Sequence, residues 1–372
     1  KQQLLGSQND MATIRLETIE TGAAAAARGG FTSIACMPNT RPTVDCPEQV
    51  DFVRRKAAEA CGVHVWPIGS VSKGQRGQEL TDFEALKGAG VVALSDDGVP
   101  IQNANLMRDG LIMAHRQDLT ILSHCEDADM VKNYAVNEGR VSRQLRLDGR
   151  PAIAEELMVA RDAMLAEETG AAVHICHIST AKSVAIVRRY KRKGVQITCE
   201  TCPQYFSLTE DEILAQGTMA RVNPPLRTWS DVEAIIEGLK DGTIDAIATD
   251  HAPHSAEEKA RPLTEAPSGM VGLETALGVT LTYLYHTGEL PLSDILRKMT
   301  INPACILRLP TKGRLAIGAD ADVVIFDPDE VWTVDPEQFA SKGRNTPFAG
   351  KELKGKIKYT IVGGKIIYQD EK

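Results

Sequence analysis

The amino-acid sequence predicts an α/β protein, and more closely a (β/α)8 TIM-type barrel with a small β-sandwich appendage. Three observations lead to this fold class: short apolar runs alternate with helical patterns, they do so over more than half of the chain, and polar residues stand directly after several of the runs. Such alternation is typical of a parallel sheet. Seven or eight repeats of the pattern favour a closed barrel over an open sheet.

The first predicted helix begins at Thr18, passes through the five alanines at 23–27 and ends at Gly29 and Gly30. Seven strands are predicted, at 31–37, 63–68, 91–95, 120–123, 172–176, 195–200 and 246–249. Helices are predicted between them, at 47–60, 81–87, 104–116, 152–168, 181–193 and 231–239, and a helical stretch follows at 273–286. For the helix at 81–87, Thr81 and Glu84 have the spacing of a capping box.

A closed barrel of this class needs eight strands, so the seven predicted here leave one strand missing. Because a helix precedes Phe31, the missing strand is expected in or before residues 1–17, a segment without clear periodicity. The first strand of the predicted barrel is therefore either absent from the sequence or not yet assigned to a segment of it.

After Leu309 the pattern changes to short β signals at 323–326, 356–362 and 365–368. Gly363 and Gly364 join the last two, which is a hairpin signal. A hairpin and one strand are too little for an independent domain, so this tail should pack on the barrel or complete a sandwich with residues outside the chain. The predicted organisation is an unassigned segment at 1–17, a barrel at 18–309 and a β segment at 310–372.

Composition narrows the classes of function. Of the 372 residues, 43% are hydrophobic and 25% are charged, which is typical of a soluble globular protein. The formal net charge of -8 and the lack of a long basic run argue against a nucleic-acid partner. Eight irregularly spaced cysteines indicate a reducing compartment. Without an apolar stretch of membrane-spanning length or a signal-peptide pattern, we expect a cytoplasmic protein with no membrane partner.

Candidate metal ligands follow four of the predicted strands: Asp97, His124, His177 and Asp250. Taken singly, a histidine at a strand end is more often a hydrogen-bonded polar residue, and Asp-Asp-Gly is a common turn. The carboxyl ends of barrel strands meet at one face, however, and carboxylate and imidazole groups are ligands of zinc. Their joint occurrence predicts a divalent metal centre. His174 cannot be equivalent to His177, because side chains alternate along a strand.

The candidate ligands belong to a larger set of motifs. These are the segment 17–40, SDDGVP at 95–100, HCED at 124–127, HIST at 177–180, VNPPLR at 222–227, TDHAPH at 249–254 and GRNTPFAGKELKG at 343–355. Together they closely resemble the motifs of bacterial dihydroorotases in the amidohydrolase superfamily, and the resemblance runs from about Thr18 to the last residues. The resemblance implies a hydrolase of cyclic amides with one or two zinc ions per subunit, which interconverts N-carbamoyl-L-aspartate and L-dihydroorotate in pyrimidine biosynthesis.

The resemblance also implies roles for single residues. Asp97 would bridge or neighbour the metals, His124 and His177 would hold one zinc, and Asp250 would be a ligand and the catalytic acid and base. A further set would contact dihydroorotate: Asn39, Asn223, His254, Ser268 and Gly269. The expected partners are the small-molecule substrate, a second copy of the chain in a homodimer and, as a further candidate, aspartate carbamoyltransferase.

The chain departs from the family near its start. In the family the first barrel strand supplies two histidines in an H-x-H motif, followed by an arginine. Counting back from Thr18 without gaps places these positions on Leu5, Ser7 and Asn9. Leucine and serine are not credible zinc ligands. Either the chain lacks its N-terminal part or one metal site is lost, and the intact downstream motifs favour the first explanation.

Three alternatives stay open. A hydantoinase would share the barrel, but such enzymes typically bridge their metals with a carboxylated lysine on the fourth strand, where this chain offers Asp97. An allantoinase is disfavoured on the same grounds. A catalytically inactive scaffold for aspartate carbamoyltransferase would explain the missing histidine pair, but we would not expect it to keep His124, His177 and Asp250.

Overall fold

Seven parallel strands form the main sheet of the computed structural model, which describes residues 17–60, 62–132 and 134–370. Along the chain the strands are β1 (Ser33–Cys36), β2 (His64–Gly69), β3 (Ala93–Leu94), β4 (Ile121–Ser123), β5 (Val136–Asn137), β6 (Gly149–Arg150), β7 (Val173–Ile175), β8 (Ile197–Thr201), β9 (Ala246–Ile247), β10 (Val323–Thr333), β11 (Glu352–Val362) and β12 (Lys365–Gln369). The main sheet has the order β1-β2-β3-β4-β7-β8-β9. All seven predicted barrel strands are therefore present, with ends that differ by one or a few residues.

Helices connect these strands. Those that precede a strand of the main sheet are Ile19–Arg28, Pro47–Glu59, Phe83–Ala89, Ala104–Arg116, Ile153–Thr169, Ala181–Arg192 and Trp229–Lys240, as predicted. Shorter helices are Ala128–Val131, Arg140–Leu145, Pro203–Ser207, Glu212–Gln216, Ala256–Lys259, Leu292–Met299 and Ile301–Ile306, with 3-10 turns at Lys73–Gln75, Gly217–Ala220 and Pro336–Gln338. The helical stretch predicted at 273–286 consists of an α-helix, Ala276–Thr280, that continues as a π-helix, Leu281–Tyr285. None of the described helices is long and apolar enough to cross a membrane.

The capping box predicted at Thr81 was wrong. The helix begins after Asp82, whose side chain accepts a hydrogen bond from the backbone N–H of Ala85 at 3.0 Å. The Thr81 hydroxyl instead donates to the carbonyl of Ser70 at 2.7 Å. Aspartate is as favourable an N-cap as serine or threonine, so it can cap this helix one residue later.

The strands β1 and β9 form the two edges of the main sheet. Residues of both edges, among them Ser33, Ala35 and Ile247, line a cavity of about 550 Å³. The eighth strand was predicted in or before residues 1–17, of which the structure describes Glu17 alone. That prediction, and the positions Leu5, Ser7 and Asn9, thus lie outside the described residues.

The C-terminal tail forms an antiparallel sheet of order β10-β11-β12. The predicted hairpin is confirmed: Val362 pairs with Lys365, and the two glycines between them have positive φ angles of 56° and 77°, as a tight hairpin turn requires. The sheet lies against the barrel, where the Thr360 hydroxyl donates to the carbonyl of Ala27 at 2.6 Å. The strand β10 extends to Thr333, well beyond its predicted end.

A buried charge network joins the loops that follow β7 and β8. The Glu155 carboxylate accepts hydrogen bonds from the backbone N–H of Ser179 at 2.9 Å and from the Ser183 hydroxyl at 2.7 Å, and it pairs with Arg227 at 3.4 Å. Arg227 also donates to Asn137 at 2.8 Å. Because both charged side chains are about 5% exposed or less, loss of one partner leaves the other charge buried and unpaired.

We therefore predict that Arg227→Met lowers the free energy of unfolding by about 3–5 kcal/mol, as expected for breaking a buried pair. Arg188 offers a matched control, since its ion pair with Asp241 lies at the surface. Arg188→Met should cost less than about 1 kcal/mol. Urea unfolding of both variants measures the difference, and equal losses would contradict the structural role given to the network.

Candidate active site and metal centre

Asp97, His124 and His177 meet beyond the carboxyl ends of β3, β4 and β7. These strands are neighbours in the sheet, and Leu94 pairs with Ile121, which pairs in turn with Val173. One potential ligand atom from each of the three side chains lies within 4.8 Å of the others. His124 Nδ1 is 2.9 Å from His177 Nε2, and Asp97 Oδ1 is 3.7 Å from each of these nitrogens.

The three side chains fit a zinc ion by their chemistry. Two imidazole nitrogens and a carboxylate oxygen are donors that zinc accepts, and all three residues are buried. At 2.9 Å the two nitrogens form a hydrogen bond in which one ring carries the hydrogen and the other accepts it. A metal ion would take the place of this hydrogen, because its ligands are nitrogens with a free lone pair.

Electrostatics support this arrangement. Burial alone would raise the pKa of Asp97, but its hydrogen bond with His177 and the charges of both histidines hold that pKa well below its usual range. Burial would lower the pKa of His177, yet the hydrogen bond with Asp97 and the charges of Asp250 and Asp97 raise it to about 9. The carboxylates thus favour a cation at the centre.

Asp250 lines the same cavity as Asp97 and His177, although its carboxylate is not part of the three-residue cluster. Its pKa is raised, chiefly because the carboxyl is buried, while the charge of His177 opposes the shift. Asp250 and His177 both have positive φ angles, 45° and 36°. Non-glycine residues adopt such angles at a cost, and they are concentrated at functional sites. The role of Asp250 as a ligand stays a prediction.

Two of the predicted substrate contacts lie beside the cluster. Asn39 Nδ2 donates to Asp97 Oδ2 at 2.9 Å. Asn223 Nδ2 lies 3.5 Å from His124 Nε2, and its side-chain oxygen accepts a hydrogen bond from Arg150. The structure therefore brings both asparagines to the proposed metal centre.

The other predicted contacts, His254, Ser268 and Gly269, form a second group that we call the 254–269 wall. His254 Nε2 lies at 3.0 Å from the carbonyl oxygen of Ser268. Gly269 has a φ of +137°, and a Cβ at this position would lie 2.7 Å from Cβ of Ala252, so only glycine fits without strain. The two segments that carry the wall are thus packed directly on each other.

Asn345 holds the wall together, and the sequence analysis missed it. Its Oδ1 accepts a hydrogen bond from the backbone N–H of His254 at 3.0 Å, and its Nδ2 donates to the carbonyls of Ala252 and Gly269, both at 3.0 Å. The residue belongs to the motif at 343–355, which was quoted only as part of the resemblance. A long-range contact of this kind leaves no signal in local periodicity.

Glu126 and Arg150 were also missed. Glu126 Oε2 lies 3.7 Å from His124 Nε2, and its other oxygen accepts a hydrogen bond from Arg150. Burial would raise the pKa of Glu126, but His124 and Arg150 lower it to about 2. The Glu126 carboxylate thus adds a negative charge beside His124. The position of Glu126 two residues after His124 was a signal that could have found it.

His174 lies apart from the cluster, as expected. Its Nε2 is 3.2 Å from Glu200 Oε2, and its Nδ1 is 2.8 Å from the Thr198 hydroxyl. Both ring nitrogens therefore have partners outside the three-residue cluster.

Comparisons with known proteins agree with this site. A family model described as dihydro-orotase-like matches residues 9–183. The dihydroorotase of Pelotomaculum thermopropionicum is 52% identical over 95% of this chain and 82% of its own length. That of Acetivibrio thermocellus is 49% identical over 95% of this chain and 83% of its own length. In both alignments the similarity thus extends over most of this chain and most of its relative.

Solved structures confirm the fold. The L-hydantoinase (dihydropyrimidinase) of Arthrobacter aurescens has a TM-score of 0.87 and 24% identity, and covers 98% of this chain and 83% of that one. The dihydropyrimidinase of Brevibacillus agri has a TM-score of 0.83 and 23% identity, over 95% and 80% of the two chains. At such identity these structures show the barrel architecture alone. The identity with dihydroorotases of about one residue in two, over most of their length, shows that this chain belongs to the dihydroorotase family.

Proposed function

We propose that the protein is a zinc-dependent dihydroorotase that interconverts N-carbamoyl-L-aspartate and L-dihydroorotate. One observation carries the proposal: the buried donor atoms of Asp97, His124 and His177 lie within 4.8 Å of one another, in a chain about half identical to dihydroorotases. Such a donor set suits hydrolysis of a cyclic amide, because a bound zinc ion polarises a carbonyl and lowers the pKa of water.

The chain's own residues account for the other parts of the reaction. Asp97, His124 and His177 would hold the metal, with Asp250 as the fourth candidate ligand. Asp250 would accept a proton from the attacking water and return it to the ring nitrogen that leaves, and the reverse path would close the ring. Its burial raises its pKa, which brings the carboxyl closer to the range in which it can both take and give a proton.

The surrounding polar residues would orient the substrate. Asn39 and Asn223 lie next to the metal cluster. The 254–269 wall would contribute the imidazole of His254 and backbone groups. Hydrogen bonds to the amide and carboxylate groups of the ring would hold its reacting carbonyl in one orientation.

Several finer features belong to the same proposal. These are zinc as the metal, one or two ions per subunit, a homodimer, association with aspartate carbamoyltransferase, a cytoplasmic location, and the division at residues 17 and 309. The inactive-scaffold alternative is less favoured, because Asp97, His124 and His177 keep donor atoms within 4.8 Å of one another.

A hydantoinase is the second candidate. The observation in its favour is the similarity of the fold to L-hydantoinase and dihydropyrimidinase structures. Identity to those chains is only 24% and 23%, however, against 52% to a dihydroorotase. We therefore propose dihydroorotate, and not a hydantoin, as the substrate.

The assay that tests the function uses the zinc-loaded, full-length protein with L-dihydroorotate, N-carbamoyl-L-aspartate, hydantoin and allantoin as separate substrates. We expect ring opening of dihydroorotate and the reverse cyclisation, with little turnover of hydantoin or allantoin. Bound metal with no turnover of dihydroorotate would sink the proposal, and turnover of hydantoin alone would establish the second candidate.

Asp250→Asn should reduce turnover by at least about 10²–10⁴-fold, because an amide cannot carry the proton between water and ring nitrogen. The matched control is Asp211→Asn, a change in an exposed carboxylate whose partner is Arg140 at the surface. That variant should keep wild-type turnover. Steady-state kinetics in both directions compare the two, and an active Asp250→Asn enzyme would refute the role given to Asp250.

His124→Ala should weaken zinc binding by more than the roughly 10–100-fold that loss of an outer partner of a metal ligand costs. The control is His115→Ala, an exposed position on the helix Ala104–Arg116. Competition with a chelator of known affinity measures both variants. If His124→Ala and His115→Ala bound zinc equally well, the metal centre would have to lie elsewhere.

A further inference from the structure

Glu17, just before the first helix, carries a buried carboxylate that has no part in the proposed reaction. The residue is 0% exposed. Its Oε2 accepts a hydrogen bond from the Ser341 hydroxyl at 2.5 Å, and its Oε1 accepts one from the backbone N–H of Lys342 at 3.4 Å. The Thr21 hydroxyl is a further donor. Since burial of a charge is costly, this carboxylate needs an explanation.

His251 is the neighbour of this carboxylate on the barrel. Its Nε2 lies 3.5 Å from Glu17 Oε2, and its side chain is 1% exposed. Its Nδ1 accepts hydrogen bonds from the backbone N–H groups of Gly272 at 3.1 Å and Leu273 at 3.3 Å. Because a backbone N–H can only donate, Nδ1 carries a lone pair and the ring hydrogen is on Nε2. The atom of His251 that faces Glu17 is therefore an N–H donor, and among the described residues no hydrogen-bond partner competes for it.

The Glu17 carboxylate is ionised at neutral pH. Burial would raise the pKa of Glu17, but the interaction with His251, and after it the hydrogen bonds with Ser341 and Thr21, lower it. The contact thus joins a negative charge to a polar N–H group where both are shielded from solvent. Electrostatic interactions are stronger in such surroundings than in water.

His251 directly follows Asp250, the proposed carrier of the proton. Asp250 has a φ of 45°, a left-handed conformation that a residue other than glycine keeps only when its surroundings hold it there. Both residues line the cavity that contains the metal cluster. The contacts of His251 therefore act on the backbone right beside the Asp250 carboxylate.

A neighbouring segment lies against both residues that flank Asp250. Its Met270 forms a parallel bridge with His251. A Cβ on its Gly272 would lie 2.5 Å from the carbonyl oxygen of Thr249, so the two backbones are in direct contact. The turn that carries Asp250 is thus packed against one segment on both sides.

We propose that Glu17, through His251, positions Asp250 for proton transfer. The proposal rests on the function proposed above, in which Asp250 carries a proton between water and the ring nitrogen. Glu17 does not line the cavity, so it is a positioning residue. Its carboxylate fixes the imidazole, and the imidazole fixes the turn that carries Asp250. A displacement of about 1 Å at a reacting group is enough to lower the rate strongly.

A purely structural role for Glu17 is the alternative. Ser341, which donates to Glu17, also uses its backbone N–H to bond Glu274 at 3.1 Å. Glu17 therefore belongs to the contacts that hold the C-terminal tail. Loss of such contacts lowers the free energy of unfolding, but it leaves the kcat of the folded molecules unchanged. The two roles thus differ in kcat, measured well below the unfolding temperature.

The test uses full-length, zinc-loaded wild type, Glu17→Gln, His251→Asn and the double variant. Asparagine keeps an acceptor near the position of Nδ1 and removes the N–H that faces Glu17. Glu17→Gln should lower kcat for dihydroorotate by about 10–100-fold, as loss of an outer partner at a metal site does. KM should stay within about threefold, because substrate binding is not the step affected.

His251→Asn should lower kcat to a similar extent. The double variant should lose no more than the larger single loss, because both changes break the same contact. The control is Glu20→Gln, a change in an exposed carboxylate on the same helix. That variant should keep the wild-type kcat.

Hydrogen exchange gives a second measurement that does not depend on activity. In Glu17→Gln the backbone amides of residues 250–254 and 270–273 should exchange at least about threefold faster than in wild type, because the turn opens more often. In Glu20→Gln the same amides should exchange at the wild-type rate.

Each outcome decides the proposal. An unchanged kcat in folded Glu17→Gln would overturn it and leave the dihydroorotase function standing. Losses that multiply in the double variant would show two independent structural roles. If wild type failed to convert dihydroorotate, the proposed function would fall and this inference with it, whereas unchanged hydrogen exchange would contradict the inference alone. Should Glu17→Gln not fold by circular dichroism, His251→Asn decides by the same two measurements.

Discussion

The parallel pairing of β3, β4 and β7 is the constraint on which the site depends. Leu94, Ile121 and Val173 lie side by side in this ladder, so the three strands end at the same level of the sheet. Asp97, His124 and His177 follow those strands and arrive within 4.8 Å of one another. A shift of one residue in any pairing would turn the side chains of that strand to the opposite face. The convergence of these three side chains is therefore a consequence of strand register.

Around this ladder, buried polar contacts hold the loops that strands alone would leave free. Glu155 and Arg227 join the loop after β7 to the segment that carries Asn223. Asn345 joins the segments that carry His254 and Gly269. These contacts fix the loops on the side of the metal cluster and on the side of the 254–269 wall.

Periodicity and strand ends predicted much of this arrangement. The seven strands, their helices and the C-terminal hairpin follow from local patterns, and the candidate ligands Asp97, His124 and His177 follow from their place after strands. The helix cap at Asp82 could not be separated from Thr81, because both residue types cap well. The predicted substrate contacts, such as Asn39 and His254, came from the family resemblance and not from the residues themselves.

Residues that act through long-range contacts were missed for a different reason. Asn345 and His254 are separated by 91 positions. Nothing in the local sequence indicates that these residues meet.

The central claim is that Asp97, His124 and His177 form the metal centre, and X-ray absorption at the zinc edge tests it most directly. The full-length, zinc-loaded protein should show a first shell of nitrogen and oxygen with the multiple scattering of imidazole rings. His177→Ala should reduce the imidazole signal. A first shell with sulfur, as binding by cysteines would produce, or a spectrum that His177→Ala leaves unchanged, would contradict the claim.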